Sequence, residues 1–209
     1  MYTQRIIHAP AVGKSADLRA ALLERNASGN ADAPHSLSVN IFSPQPGYVH
    51  SIRFDNLAAI EAYQNRPSLN DAIFQAQGRK IDACLAQERV SLLYEDLVGT
   101  GASTTPRYLI RNRYSQAAGK GQELRSVLEE RLQKGTPGLA GARLSRQVAS
   151  LDGPAFSVTL LFGSMADIDQ FRAANDQDPT FAPFVSKVAS LTRAPVQQRM
   201  QRILANFPS

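Results

Sequence analysis

One cysteine, no tryptophan, three histidines and no long apolar run exclude several chemistries from this chain of 209 residues. A lone Cys84 permits no internal disulfide and no multi-cysteine metal site, and its apolar setting, Ile81-Asp-Ala-Cys-Leu85, reads as a buried thiol in a reducing compartment. No segment reaches the roughly 18 apolar residues of a membrane helix, and Met1 to Pro10 has neither an apolar signal core nor a cleavage pattern. These absences predict a cytoplasmic protein that does not use a membrane. Gly13-Lys14 and Gly119-Lys120 lack the upstream glycine and full spacing of a phosphate loop, so no nucleotide is expected. No Gly-x-Ser-x-Gly elbow supports nucleophilic hydrolysis. His8, His35 and His50 are too scattered for a sequence-local metal site, although strands could bring His8 and His50 together; no metal is assigned.

What the chain does contain is a pattern written twice. Tyr2-Thr-Gln-Arg5 and Val12-Gly-Lys-Ser-Ala-Asp-Leu-Arg19 return, 106 residues later, as Tyr108-Leu-Ile-Arg111 and Ala118-Gly-Lys-Gly-Gln-Glu-Leu-Arg125. That register over a strand and a helix implies a tandem duplication, with repeats over residues 1–98 and 107–209 joined by a linker at 99–106 whose Gly99-Thr-Gly-Ala-Ser-Thr-Thr-Pro106 composition is flexible. A hydrophobic content of 43% is ordinary for globular domains of this size.

Periodicity gives each repeat the same order of elements. In the first, strands are expected at Tyr2–Ala9, Leu37–Ile41, Tyr48–Phe54 and Arg89–Leu97. Helices are expected after Gly13-Lys14 and from Asn56, the second broken by Pro67 and resuming over Ile73–Leu85. Loops fall at Asn26–Pro34 and Pro44–Gly47. In the second, strands are expected at Tyr108–Tyr114, Arg143–Val148, Phe156–Phe162 and Val196–Leu204, with helices at Gln122–Leu132, from Met165, and at Phe181–Leu191 after the Asp178-Pro179 break. A hairpin turn is placed at Leu151–Pro154. The fold class is α+β: two β-α-β-β-α-β ferredoxin-like repeats, each with helices on one face of its sheet. The uncovered sheet faces are expected to meet as a barrel enclosing a lumen of small-molecule size.

On this pattern the chain resembles the dimeric α+β barrel superfamily, which includes the antibiotic-biosynthesis monooxygenases, the ethyl tert-butyl ether degradation family and the NIPSNAP proteins. The resemblance is carried by Tyr108-Leu-Ile-Arg-Asn-Arg-Tyr114 with Gly119-Lys120, similar to the family's first strand and helix start, and by Asp178-Pro-Thr-Phe-Ala-Pro-Phe184, similar to its second-helix break. It implies cofactor-independent oxygenation of a polyketide-like or phenolic substrate as one function. It disfavours haem, since haem-degrading relatives use a Trp and a His in the pocket and two-repeat haem enzymes take a proximal His from the second half, where this chain has none. No cofactor is expected.

Charge is uneven. Residues 1–104 hold nine Lys and Arg against ten acids, and residues 105–209 hold fourteen against eight. The second-half arginines are scattered through strands with no Lys/Arg-rich run and few interleaved aromatics, which argues against nucleic acid. The imbalance suits docking of one repeat, or of a second chain as a homo-oligomer, on the other.

Strand parity sorts the candidate site residues. Arg5 and Arg111 each lie three residues after a tyrosine, hence on the opposite sheet face; with the tyrosines under the helices, the guanidiniums face the lumen, where they could hold an enolate or carboxylate. The same parity sends Tyr48, His50, Ile52 and Phe54 toward the helices and Ser51, Arg53 and Thr159 toward the lumen. His50 then reads as a core histidine bonded to a neighbour, His35 as exposed, and His8 as a residue near the lumen rim or in solvent and a candidate base. The expected function is binding of a small hydrophobic or anionic molecule in the lumen through Arg5, Arg111, Ser51, Arg53 and Thr159. The alternative is an oxygenase in which Arg5, Arg111 or His8 serves catalysis. Whether the protein is an enzyme is left open.

Overall fold

The computed structural model describes residues 1–27, 33–43, 47–100, 104–148 and 153–207. The middle of the Asn26–Pro34 loop, most of the Pro44–Gly47 turn, residues 101–103 of the linker and the first half of the Leu151–Pro154 turn lie outside these. Among the described residues, eight strands and six α-helices follow the order read from the sequence: β1 (Tyr2–His8), α1 (Ser15–Ala27), β2 (His35–Asn40), β3 (Tyr48–Phe54), α2 (Leu57–Gln64), α3 (Ala72–Asp82), β4 (Val90–Thr100), β5 (Tyr108–Ser115), α4 (Gly121–Gln133), β6 (Gly141–Gln147), β7 (Ala155–Phe162), α5 (Met165–Gln177), α6 (Phe181–Leu191) and β8 (Gln197–Phe207). The strands are hydrogen-bonded in the order β1-β3-β2-β8-β5-β7-β6-β4 as a closed barrel, with every resolved pairing between named strands antiparallel. β4 runs past Leu97 because Gly99 and Thr100, residues of linker composition, pair with Arg143 and Ala142.

Local chemistry places the helix ends. Asn56 caps α2 by accepting from the Ala59 amide at 2.8 Å, and Asp71 caps α3 by accepting from Ile73 at 2.7 Å, so the chain restarts a helix just beyond the Pro67–Asn70 turn. Ser164 and Asp167 form a reciprocal capping box on α5. Gly13 and Gly119, 106 residues apart, both take positive φ (75° and 71°) at the turns leading into α1 and α4.

The chain divides into two compact units, residues 1–93 with 203–209, and residues 94–202. In the first unit α1 and α3 pack through Leu18, Leu22 and Ile81 against Leu37 and Tyr48, while Ile60 of α2 packs on Ile52 and Phe54. In the second, Leu124, Leu128, Ile168, Val188 and Leu191 from three helices cover Leu144, Phe156, Val158 and Phe162 of the sheet. Each such side chain, removed from water, stabilises its unit by about 1.5–3 kcal/mol before entropy is counted. The expected parity holds in both units. Among the described residues no helix is long and apolar enough to cross a membrane.

Candidate functional site

Each unit holds a cavity between the helix-facing side of its sheet and its own helices. The cavity of the second unit measures about 500 Å³. Alternation along β5 points Ile110, Asn112 and Tyr114 into it, β7 adds Val158 and Leu160, and its helical wall carries Phe171, Phe181 and Phe184. Its polar end is short and directional. Gln198 Nε2 donates to Asn112 Oδ1 at 2.9 Å, and Asn112 lies two residues before Tyr114 on the same face of β5, where its side chain acts on the phenol. Burial pushes the Tyr114 phenol up to about 12, only partly offset by Asn112, so at neutral pH it stays protonated and its O–H can donate to an acceptor in the cavity.

Arg131 lies at another edge of this cavity, but its charge is committed. It binds Asp178 at 2.6 Å and the Asn175 side chain, and its guanidinium lies 5.2 Å from the Phe181 ring centre. Arg131 first, then Thr180 and Lys134, hold the Asp178 carboxyl far below the usual carboxylate range. Arg172, Asp176 and Thr136 also border it, and the rest of the lining is apolar.

The cavity of the first unit is smaller, about 250 Å³, and occupies the corresponding place. At an offset of 106, Gln4, Ile6, His8, Leu22 and Arg25 stand where Ile110, Asn112, Tyr114, Leu128 and Arg131 stand in the second unit; His50 matches Val158 at 108. The three histidines converge here through strand register. His8 pairs with Tyr48, Ile6 with His50 and His35 with Ile52, so His8, His50 and His35 run diagonally across β1, β3 and β2 on one face. His35 and His50 meet edge to face with ring centres 5.0 Å apart, and His35 Nδ1 donates to the Ala33 carbonyl at 3.0 Å. Neither ring nitrogen of His8, nor Nε2 of His50, has a hydrogen-bond partner among the described residues.

Burial first, then the charges of Arg89 and Arg25, pull His8 down to about 4; burial, then His35, His8 and Arg25, pull His50 down to about 3. Both imidazoles are therefore neutral at physiological pH. The expected positions of the histidines need correction on this point. His8 is buried under the helices rather than at a lumen rim, because it shares the parity of Tyr2, Gln4 and Ile6; His35 is half-buried; and His50 faces a cavity instead of bonding through Nε2 to a neighbour.

Arg5, Ser51 and Thr159 are buried, Arg111 is half-buried and Arg53 exposed, all on the sheet face turned from the helices of their own unit. Register brings Arg5 beside Ser51 and Arg111 beside Thr159. None of the five lines either cavity. What sequence reasoning missed was the pocket-forming role of Arg25, Asn112 and Tyr114. The signal was present in the repeat itself, where Arg25 aligns with Arg131 while His8 is exchanged for Tyr114.

No family model matches the chain, and neither does any curated protein. Solved structures do. A candidate monooxygenase from Fusobacterium nucleatum superposes with a TM-score of 0.78 at 6% identity, covering 100% of this chain and 94% of its own. A protein described as anthrone oxidase-like gives 0.69 at 12% identity over 99% and 92%. A candidate monooxygenase from Lactobacillus acidophilus gives 0.66 at 10% identity over 99% and 96%. The fold is that of the monooxygenase-like α+β barrels. At these identities the likeness carries architecture and not chemistry.

Proposed function

We propose that the chain binds a hydrophobic aromatic molecule of two or three rings in the cavity of the second unit, with a carbonyl or phenolate oxygen against Tyr114. The observation that carries this reading is the pairing of a largely apolar volume of about 500 Å³ with the buried Tyr114 hydroxyl beside the hydrogen-bonded Gln198 and Asn112 side chains. That combination of apolar walls and few convergent polar groups is typical of small-molecule sites. Thermal unfolding with anthrone and 1-naphthol tests it: both should raise the midpoint in wild type and lose that effect in Val188→Phe, which fills the cavity. Equal stabilisation of Val188→Phe, or none of wild type, would remove the reading. Arg5→Gln and Arg111→Gln, substituted on the other sheet face, should leave the effect in place.

A second reading, cofactor-independent oxygenation, draws support from the neutral phenol of Tyr114, a donor suited to a developing oxyanion, and from the fold shared with the anthrone oxidase-like protein. Conversion of an anthrone-type methylene to a carbonyl by dioxygen, with release of one water, balances without an external reductant. The methylene gives its proton to solvent, leaving an enolate whose oxygen Tyr114 would hold; its carbon passes electrons to dioxygen, and the water released takes back the protons. Oxygen uptake with anthrone should exceed the uncatalysed rate and fall in Tyr114→Phe while the thermal shift persists. Uptake at the uncatalysed rate would leave binding alone.

A further inference from the structure

The first unit's cavity stands where the second unit's does, yet its chemistry is opposite in kind. Three guanidiniums line it, from Arg25 of α1, Arg66 beyond α2 and Arg89 before β4, and no Asp or Glu does among the described residues. Two of these arginines are set against aromatic rings: Arg25 lies 3.9 Å from the Phe74 ring centre, and Arg66 lies 3.5 Å from that of Tyr63. Arg89 is partly accessible and pairs with Asp82 at 3.0 Å. His8, 3% exposed, and His50 bring enclosed ring nitrogens without protein hydrogen-bond partners among the described residues. A buried donor without an acceptor is a place where a ligand atom is expected. The three imidazoles do not form a metal-ligand set, and no group able to hold a metal occurs among the described residues. The surrounding positive charge would also oppose a cation.

We propose that this cavity is a second ligand site, taking a small planar carboxylate of single-ring aromatic size, with Arg25, Arg66 and Arg89 meeting the negative charge and His8 and His50 donating N–H to its oxygens. The size follows from the volume, since a cavity of roughly 150 Å³ already accepts benzene. The class follows from charge and geometry. Guanidinium forks match a planar carboxylate, and a neutral imidazole keeps one N–H to give. Nothing in this inference rests on the reading of the second unit's cavity, which lies on different residues.

The test uses the whole protein carrying isotope-labelled histidine, titrated with sodium benzoate and, in parallel, with the uncharged isostere benzamide. Benzoate should shift the His8 and His50 ring nitrogens with saturation at one equivalent bound, and benzamide should not. Arg89→Gln should weaken benzoate roughly tenfold or more, the loss expected for one charge-assisted contact, whereas Val188→Phe in the other cavity should leave it unchanged. Bound benzoate should also raise the titration midpoints of His8, which faces Arg25, Arg89 and His50, and of His50, which faces His35, His8 and Arg25. Imidazole signals that do not move at saturating benzoate, or that respond equally to benzamide, would overturn the proposal without reliance on any variant. Inorganic phosphate giving the same shifts as benzoate would also overturn it, by showing a site for anions of any shape.

Discussion

Two neutral imidazoles inside a basic cavity should make this protein lose stability in mild acid, well above the range where carboxylates titrate. The sign follows from linkage. Burial and neighbouring arginines hold His8 down at about 4 and His50 at about 3, whereas an unfolded imidazole titrates near 6.5. The unfolded chain therefore binds more protons than the folded one below about pH 6.5, and stability falls as pH falls through that window. At about pH 5 the unfolded imidazoles are almost fully charged and the folded ones almost fully neutral. Each then costs about 2 kcal/mol, at 1.36 kcal/mol for each of about 1.5 pH units, and the pair about 4 kcal/mol. Mutual repulsion between His8 and His50 adds little at this pH because neither is charged. A loss of that size is a large part of the roughly 5–15 kcal/mol that holds a domain of this kind together. Urea denaturation followed by circular dichroism at about pH 7 and about pH 5, at fixed ionic strength, measures it. The comparison is His8→Tyr with His50→Val, the residues found at the matching places in the second unit; His50→Val alone serves if the double variant does not fold. The double variant should be nearly insensitive across this window, and His50→Val should keep about half of the wild-type loss. A wild-type loss below about 1 kcal/mol, or an equal loss in the variants, would refute the reasoning.

Gly138 takes φ of 82° with a would-be Cβ 2.2 Å from the Asp167 carbonyl oxygen, so Gly138→Ala should cost roughly 2–4 kcal/mol in chemical denaturation; Gly119→Ala, at φ 71° with open space around it, should cost about 1 kcal/mol. Leu128→Ala removes a side chain that is 1% exposed beside an existing cavity, which limits collapse, and should destabilise by about 3–5 kcal/mol by the same assay. Asp178 has its carboxyl held low by Arg131, Thr180 and Lys134, so the stability it contributes is present at neutral pH and lost as pH falls through the carboxylate range. Asp178→Asn should lower the urea midpoint at neutral pH and flatten its decline in acid, and an unchanged acid branch would count against the linkage.

Strand positions and their two faces were legible because alternation is a strong local signal, and both Tyr48–Phe54 and Phe156–Phe162 keep the faces that their apolar residues demand. Helix restarts were legible for a similarly local reason: Pro67 and Asp178-Pro179 interrupt, and Asp71 caps the renewed helix. The cavities were not, because open space depends on how far helices stand from a sheet, and no single residue encodes that distance. Ser51, Thr159 and Arg5 keep the face that parity gave them, turned from the helices, while the walls of the cavities under the helices include Phe74, Phe181 and Phe184, which in sequence look like ordinary core. The histidine cluster needed register as well as parity. Positions 8, 35 and 50 become neighbours only once β1 and β2 are both paired to β3.

Arg25 and Arg131 show how one architecture gives two electrostatic environments. They occupy matching places on α1 and α4, and each guanidinium lies near a phenylalanine of the third helix of its unit. The difference is in the counter-charge. Arg131 is tied to Asp178 at 2.6 Å, which neutralises its charge at the cavity edge. The residue ahead of α3 in the first unit, Asp71, instead spends its side chain on the amides of Ile73 and Phe74. Around Arg25, burial and the nearby Arg89 and Arg66 act to lower its affinity for a proton, outweighing Tyr63 and Asp82. An anion in this cavity would offset the positive field that Arg25, Arg66 and Arg89 set up together. The same position on the same fold therefore sits in a more positive environment in one unit than in the other, and the exchange of Tyr114 and Val158 for His8 and His50 accompanies that division.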